Sequence, residues 1–232
     1  MTAAALRAAS WRASARPPPH AWPMGIAALG WVVMACHAFA GTHVCCAGSP
    51  GAEWRAWMAM VAAMMVPTLG DALRDVALRS YRVRRDRAVA LYLAGYLSVW
   101  ALVGAGVAML RQWPAARAPW VPVAAFAFGT LWTLVPARSV WLGWCHRRVA
   151  LAPAGLRADG DALRQGVVNG APCVATCWPV MVGCALAGHA PVVMVAGAAL
   201  TLAEKRMYFP RPRLLATGVA ALAAWVALAP GW

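Results

Sequence analysis

Four sulfur-bearing side chains, Cys173, Cys177, Met181 and Cys184, recur within the otherwise apolar segment 166–205. At about 100° per residue all four fall within about 80° of one helix face, and Asn169 joins them one turn earlier. Thiolate and thioether donors together select soft metals, Cu(I) above all, although zinc also accepts thiolates. The Cys173 to Cys177 spacing puts the two Cα atoms about 6 Å apart on a helix, which suits two ligands to one metal better than a relaxed disulfide. Cysteine and methionine are also ordinary small or flexible apolar residues of a helix bundle, so packing remains the alternative for each of them.

A second sulfur cluster lies at Met58, Met60, Met64 and Met65, four of the 11 methionines, and ends at Pro67. Met58 and Met65 share one helix face, and Met60 and Met64 share another with Pro67. Neutral thioethers hold Cu(I) weakly enough to release it, so Met64 and Met65 are candidate relay ligands to work with Met181. Cys145 and His146 form a third pair, with Arg147 and Arg148 beside them. Cys36, His37, His43, Cys45, Cys46 and His189 form a looser group of thiols and imidazoles, which could load or receive a metal or be plain surface residues. Ionisable groups next to apolar runs, namely Asp71, Arg138, Glu204 and Lys205, either pair inside a membrane or snorkel to its surface. Asp71 and Glu204 could form an acidic gate.

The elements that must position these groups are membrane helices. Hydrophobic residues make up 62% of the chain and charged ones 12%, with apolar runs at 22–40, 54–73, 89–110, 120–137, 167–187, 191–203 and 214–229. The expected architecture is an all-α transmembrane bundle of about seven spans, a single domain over 22–230 behind a disordered basic arm over 1–21. The net charge of +14 needs no nucleic acid to explain it. If the N-terminus is inside, every basic residue except Arg55, Arg111 and Arg117 falls on the inner side, which predicts an N-in, C-out topology by the positive-inside rule. The first run ends in Ala38-Phe39-Ala40, so a cleaved leader is the alternative there. The sixth run is short, and an extension backwards through His189 or a tilt would be needed for it to cross. Ala94, Ser98, Ala101 and Ala105 form a small-residue ridge where a neighbouring backbone could approach. Pro67, Pro172 and Pro179 are expected to bend the two sulfur-rich helices.

Taken together, the run from Trp57 through Met64-Met65-Val66-Pro67, Cys145-His146, the segment leading to Cys177-Trp178-Pro179-Val180-Met181, and Glu204-Lys205 resemble a bacterial family of predicted metal-binding integral membrane proteins. The Ala-Met-Met-x-Pro and Cys-Trp-x-x-Met pieces are its specific parts, and the likeness covers roughly 22–207. Some members are described as copper chaperones accompanying a tyrosinase-type polyphenol oxidase, so the resemblance implies copper delivery. The chain departs from the family pattern in two places. Many members carry a further cysteine near the position of Trp141 or Leu142, and a Cys-x-x-Cys-Cys-Trp arrangement where this chain reads Cys173-Val174-Ala175-Thr176-Cys177-Trp178.

The leading expectation is a non-enzymatic, multi-pass protein of the bacterial inner membrane that binds copper and passes it to a copper-dependent partner enzyme. Cys173, Cys177 and Cys184 would be thiolate ligands, Met181, Met64 and Met65 thioether ligands, and Cys145 with His146 an inner dock. No Ser-His-Asp set, phosphate-cradling glycine loop or His-Glu-x-x-His occurs, so hydrolytic and nucleotide-driven chemistry lack residues to carry them. Two rivals stay open: a quinone-linked membrane thiol oxidoreductase, against which stands the absence of any Cys-x-x-Cys, and an assembly subunit whose sulfur only packs. The residues do not specify an oligomeric state.

Overall fold

The computed structural model describes residues 21–39, 49–152, 154–207 and 211–229, all of them helical or in connecting turns. Nine α-helices follow one another among these residues: α1 Ala21–Phe39, α2 Pro50–Met65, α3 Gly70–Arg79, α4 Arg85–Leu110, α5 Trp120–Leu134, α6 Ala137–Cys145, α7 Gly155–Leu186, α8 Pro191–Arg206 and α9 Pro212–Leu228. Prolines in the first turns of α2, α8 and α9 start helices where no backbone N–H is needed, and the Ser49 hydroxyl accepts from Ala52 N at 3.2 Å to cap α2. The basic arm expected over 1–21 lies outside the described residues except for Ala21. So do His43, Cys45 and Cys46.

The all-α class is as expected, while the count of about seven spans is not confirmed among the described residues. Four stretches are long and apolar enough to cross a membrane: Ala21–Ala38, Pro50–Arg79, Arg82–Leu110 and Gly155–Leu186. The pair α5 and α6 would make a fifth, bent by 88° between them. The sixth and seventh expected spans correspond to α8 and α9, only 16 and 17 residues long. Of the two ways expected for the sixth run to cross, the backward extension does not occur, because Gly188 and His189 adopt positive φ there and end the helical path. It grows forwards instead, through Glu204 and Lys205 to Arg206, since both of those charges find partners inside the bundle.

Helix α7 is the central element. It starts at Gly155, a dozen residues before the apolar run does, because its polar first turns are tied down. Asp159 pairs with Arg84 and Arg87, Asp161 accepts from Ala152 N at 2.9 Å, and Gln165 bonds the backbone of Arg147 and Val149. Its most extensive neighbour is α4. The two backbones touch at Gly95 and Gly166. A Cβ on Gly166 would overlap the Tyr92 carbonyl and stand 2.8 Å from Tyr96 N. The predicted ridge of Ala94, Ser98 and Ala105 faces outwards instead. Glycine permits a closer approach than alanine, and the face one residue over buries Tyr92, Tyr96 and Trp100 completely.

Candidate metal centre

The sulfur stripe of α7 points into the bundle. Cys173, Cys177, Met181 and Cys184 are each at most 1% exposed, as are Met60, Met64 and Met65 on α2. The helix carries its prolines without a break. Pro179 has no N–H to offer the carbonyl four residues back, and its ring crowds that turn. The freed carbonyl is taken from outside the helix, where Trp132 Nε1 donates to Ala175 O at 2.9 Å, and next to it Arg138 Nε donates to Thr176 O at 3.1 Å. Pro67 acts differently, converting the end of α2 into a tight turn over Val66–Leu69.

That turn and the 88° bend after α5 bring three further elements onto Cys173. Tyr96 Oη lies 2.8 Å from the Cys173 sulfur, and the Lys205 ammonium donates to it, also at 2.8 Å. Lys205 makes a second bond to Thr68 Oγ1 in the Pro67 turn, at 3.3 Å. Cys177 lies one turn along α7 from Cys173 on the same face, and the Cys145 thiol of α6 comes up to the Thr176 hydroxyl between them. Thr176 sits beside both of these flanking cysteines, 3.9 Å from Cys145 and 3.5 Å from Cys177. Among the described residues no group of three or more His, Cys, Asp or Glu side chains is placed to hold a metal ion. Cys145, Cys173 and Cys177 form a loose row of thiols, with the Lys205 ammonium on the Cys173 sulfur.

Cys145 is fixed by its backbone. Asn169 Nδ2 donates to Cys145 O at 2.7 Å, and Gln165 Nε2 donates to Asn169 Oδ1 at 2.5 Å. Asn169, placed on the stripe by its spacing, therefore positions a cysteine. His146, the next residue, is exposed, and burial of part of its ring followed by the charge of Lys205 holds its imidazole below the ordinary histidine range. Both residues line a cavity of about 90 Å³ together with Asp71, Asp75, Arg147, Arg148, Tyr92 and Asn169, so this end of the array meets charges of both signs.

Farther along α7 the second sulfur group appears. Gly197 of α8 has no side chain, and the space is filled by Cys184 Sγ and Met64 Cε, 3.1 and 3.2 Å from where a Cβ would be. Cys184 and Met64 therefore meet across α2, α7 and α8, about 10 Å beyond Cys177 by helical rise. Met65 and Met181 lie in the same buried core.

The charged residues differ from expectation. Arg138 and Lys205 turn inwards instead of snorkelling, and Glu204 is engaged by Arg138 through both carboxylate oxygens, one at 2.6 Å. Glu204 is thereby committed to an ion pair while Asp71 lines the cavity, so the two do not act together as a gate. Reasoning from spacing missed Tyr96, Thr68, Thr176 and Trp132. For Trp132 the available signal was Pro179, which leaves the Ala175 carbonyl in need of a donor.

The family described as PpoB2, copper chaperone, matches residues 54–229, three quarters of the chain. The chain belongs to this copper chaperone family. The match runs from α2 to the end of α9 and includes every sulfur and nitrogen side chain of the array, whereas α1 lies before it. No curated protein and no solved structure matches the chain. A copper chaperone needs ligands that hold the ion and let it go, and an open row of thiols and thioethers is of that kind.

Proposed function

We propose that this copper chaperone is embedded in the bacterial inner membrane, N-terminus inside, and carries Cu(I) along α7. The ion loads from the cavity at Asp71, Cys145 and His146, binds among Cys145, Cys173 and Cys177, and moves outward by way of Met181 to Cys184 and Met64, with Met65 alongside. A copper-dependent enzyme receives it. The observation that carries this reading is the Lys205 ammonium 2.8 Å from Cys173 Sγ, inside a sulfur and hydroxyl surround. A half-buried cation on a cysteine sulfur marks a place that accepts positive charge, which a copper ion bound at that sulfur would also need.

The test is elemental mass spectrometry of the detergent-purified protein beside the Cys173→Ser/Cys177→Ser variant. Copper in the wild type and its loss from the variant are expected. Equal metal in both, or none in either, refutes the array as a copper site, and zinc in place of copper would change the cargo.

One observation favours a second reading. Thr176 Oγ1 contacts the Cys145 thiol of α6 at 3.9 Å and bonds the Cys173 carbonyl of α7 at 3.0 Å, so the two cysteines are neighbours on separate helices. A thiol oxidoreductase would show an oxidised fraction of this pair in whole cells, trapped by alkylation, that shifts with the quinone pool. A copper carrier keeps both thiols reduced.

A further inference from the structure

A lysine turned into the interior of a membrane bundle normally pairs with an acidic side chain or a backbone carbonyl. Lys205 does neither. Among the described residues its ammonium donates to Cys173 Sγ at 2.8 Å and to Thr68 Oγ1 at 3.3 Å. The adjacent carboxylate, Glu204, is already engaged by Arg138 through both oxygens. Thr68 spends its hydroxyl proton on Met65 O at 2.7 Å, so its oxygen is left to accept, and the turn at Pro67 holds it beside the ammonium.

The Cys173 sulfur is correspondingly crowded. It is buried, and Tyr96 Oη also stands 2.8 Å from it. Metals are bound by the thiolate. A copper ion arriving at that sulfur meets a cation already in place, and two positive charges on one sulfur repel each other. One neighbour must yield, and the structure separates the two. Tyr96 is completely buried on α4, along the stretch where the backbones of α4 and α7 touch. Lys205 is half-buried in the last turn of α8, on a flexible four-carbon stem, and has Thr68 as a second partner. Its backbone need not move, because Arg138 clamps the neighbouring Glu204.

We propose that Lys205 is a built-in competitor for the cargo: its ammonium holds the Cys173 sulfur in the copper-free protein, swings aside to Thr68 when Cu(I) binds, and returns as the ion moves on along α7. One monovalent cation replaces another on the same sulfur, so the net charge of the site is kept and no oxidation state changes. Thiolates by themselves favour Cu(I) strongly, and a tethered cation that competes for one of them shifts the balance towards release. The inference rests on the copper-carrying reading above and adds to it the means by which the ion leaves.

The experiment measures Cu(I) affinity and release for the purified full-length protein in detergent, anaerobically, by titration against a colorimetric Cu(I) chelator of known affinity. The proteins are wild type, Lys205→Met, Lys205→Gln, Lys205→Arg and Cys173→Ser. Methionine replaces the lysine stem without its charge and glutamine is neutral but polar, so the pair separates charge from packing. Lys205→Met and Lys205→Gln are expected to bind Cu(I) at least about tenfold more tightly and to surrender it to the chelator more slowly, since the competing charge is gone. Lys205→Arg keeps the charge and stays close to wild type, and Cys173→Ser binds more weakly than wild type. Affinity in Lys205→Met and Lys205→Gln equal to or below that of wild type, or Lys205→Arg tightened as much as they are, overturns the competitor and leaves the carrier reading standing. A wild type that takes up no Cu(I), or a Cys173→Ser variant that binds it unchanged, overturns copper binding at this sulfur and the competitor with it.

Discussion

Removing Arg138 should be the most damaging single change to this bundle. The guanidinium is 9% exposed and Glu204 4% exposed, and the two are joined in a two-pronged pair while Arg138 Nε also donates to the Thr176 carbonyl. Breaking a buried pair by deleting one partner costs about 3–5 kcal/mol, which for a chain of this size lowers Tm by roughly 6–20 °C. Arg138→Met leaves both Glu204 and the carbonyl unsatisfied and should fall in the upper part of that range. Arg138→Met/Glu204→Met removes both charges at similar volume, so only the hydrogen bond to the Thr176 carbonyl is lost, about 0.5–1.5 kcal/mol. The double variant should therefore melt above the Arg138→Met single variant. Arg138→Lys falls between wild type and Arg138→Met, because a lysine cannot make the forked contact and reach the carbonyl as well. Thermal unfolding of the four proteins in one detergent, followed by circular dichroism, gives the order. Equal Tm for Arg138→Met and the double variant would show that the carboxylate is not held by this pair and would refute the reasoning.

Two further changes probe how the array is positioned. Gly166→Ala gains up to about 1 kcal/mol of helix propensity but drives a methyl group into the α4 backbone, an overlap worth about 1–3 kcal/mol or more; a lower Tm and a weakened Tyr96 contact to Cys173 are expected, and a raised Tm would contradict the close approach of α4 and α7. Trp132→Phe keeps ring packing near Phe128 and Trp178 but withdraws the donor from Ala175 O, so a loss of about 1–3 kcal/mol by denaturant unfolding is expected, and no loss would mean that the carbonyl finds another donor.

The sequence by itself determined the helical class, the sulfur face of α7 and the chemistry that face can do. Hydrophobic content requires backbone groups to bond within helices, and a 3.6-residue period puts Cys173, Cys177 and Cys184 on one side whatever surrounds them. It also announced Pro67 and Pro179 as places where backbone groups need outside partners. Periodicity is silent, however, on which side of an almost uniformly apolar helix is buried, which is why the ridge of Ala94, Ser98 and Ala105 was expected to pack and faces outwards. Whether Arg138 and Lys205 reach the surface or turn inwards depends on partners 66 and 32 residues away in the chain. Only the tertiary structure brought Cys145 up to Thr176 through the bend after α5, set Lys205 on the Cys173 sulfur, and let Met64 meet Cys184 over Gly197. Each of these contacts joins residues from separate helices, and their geometry follows from helix crossing and close backbone approach, quantities that no local spacing encodes.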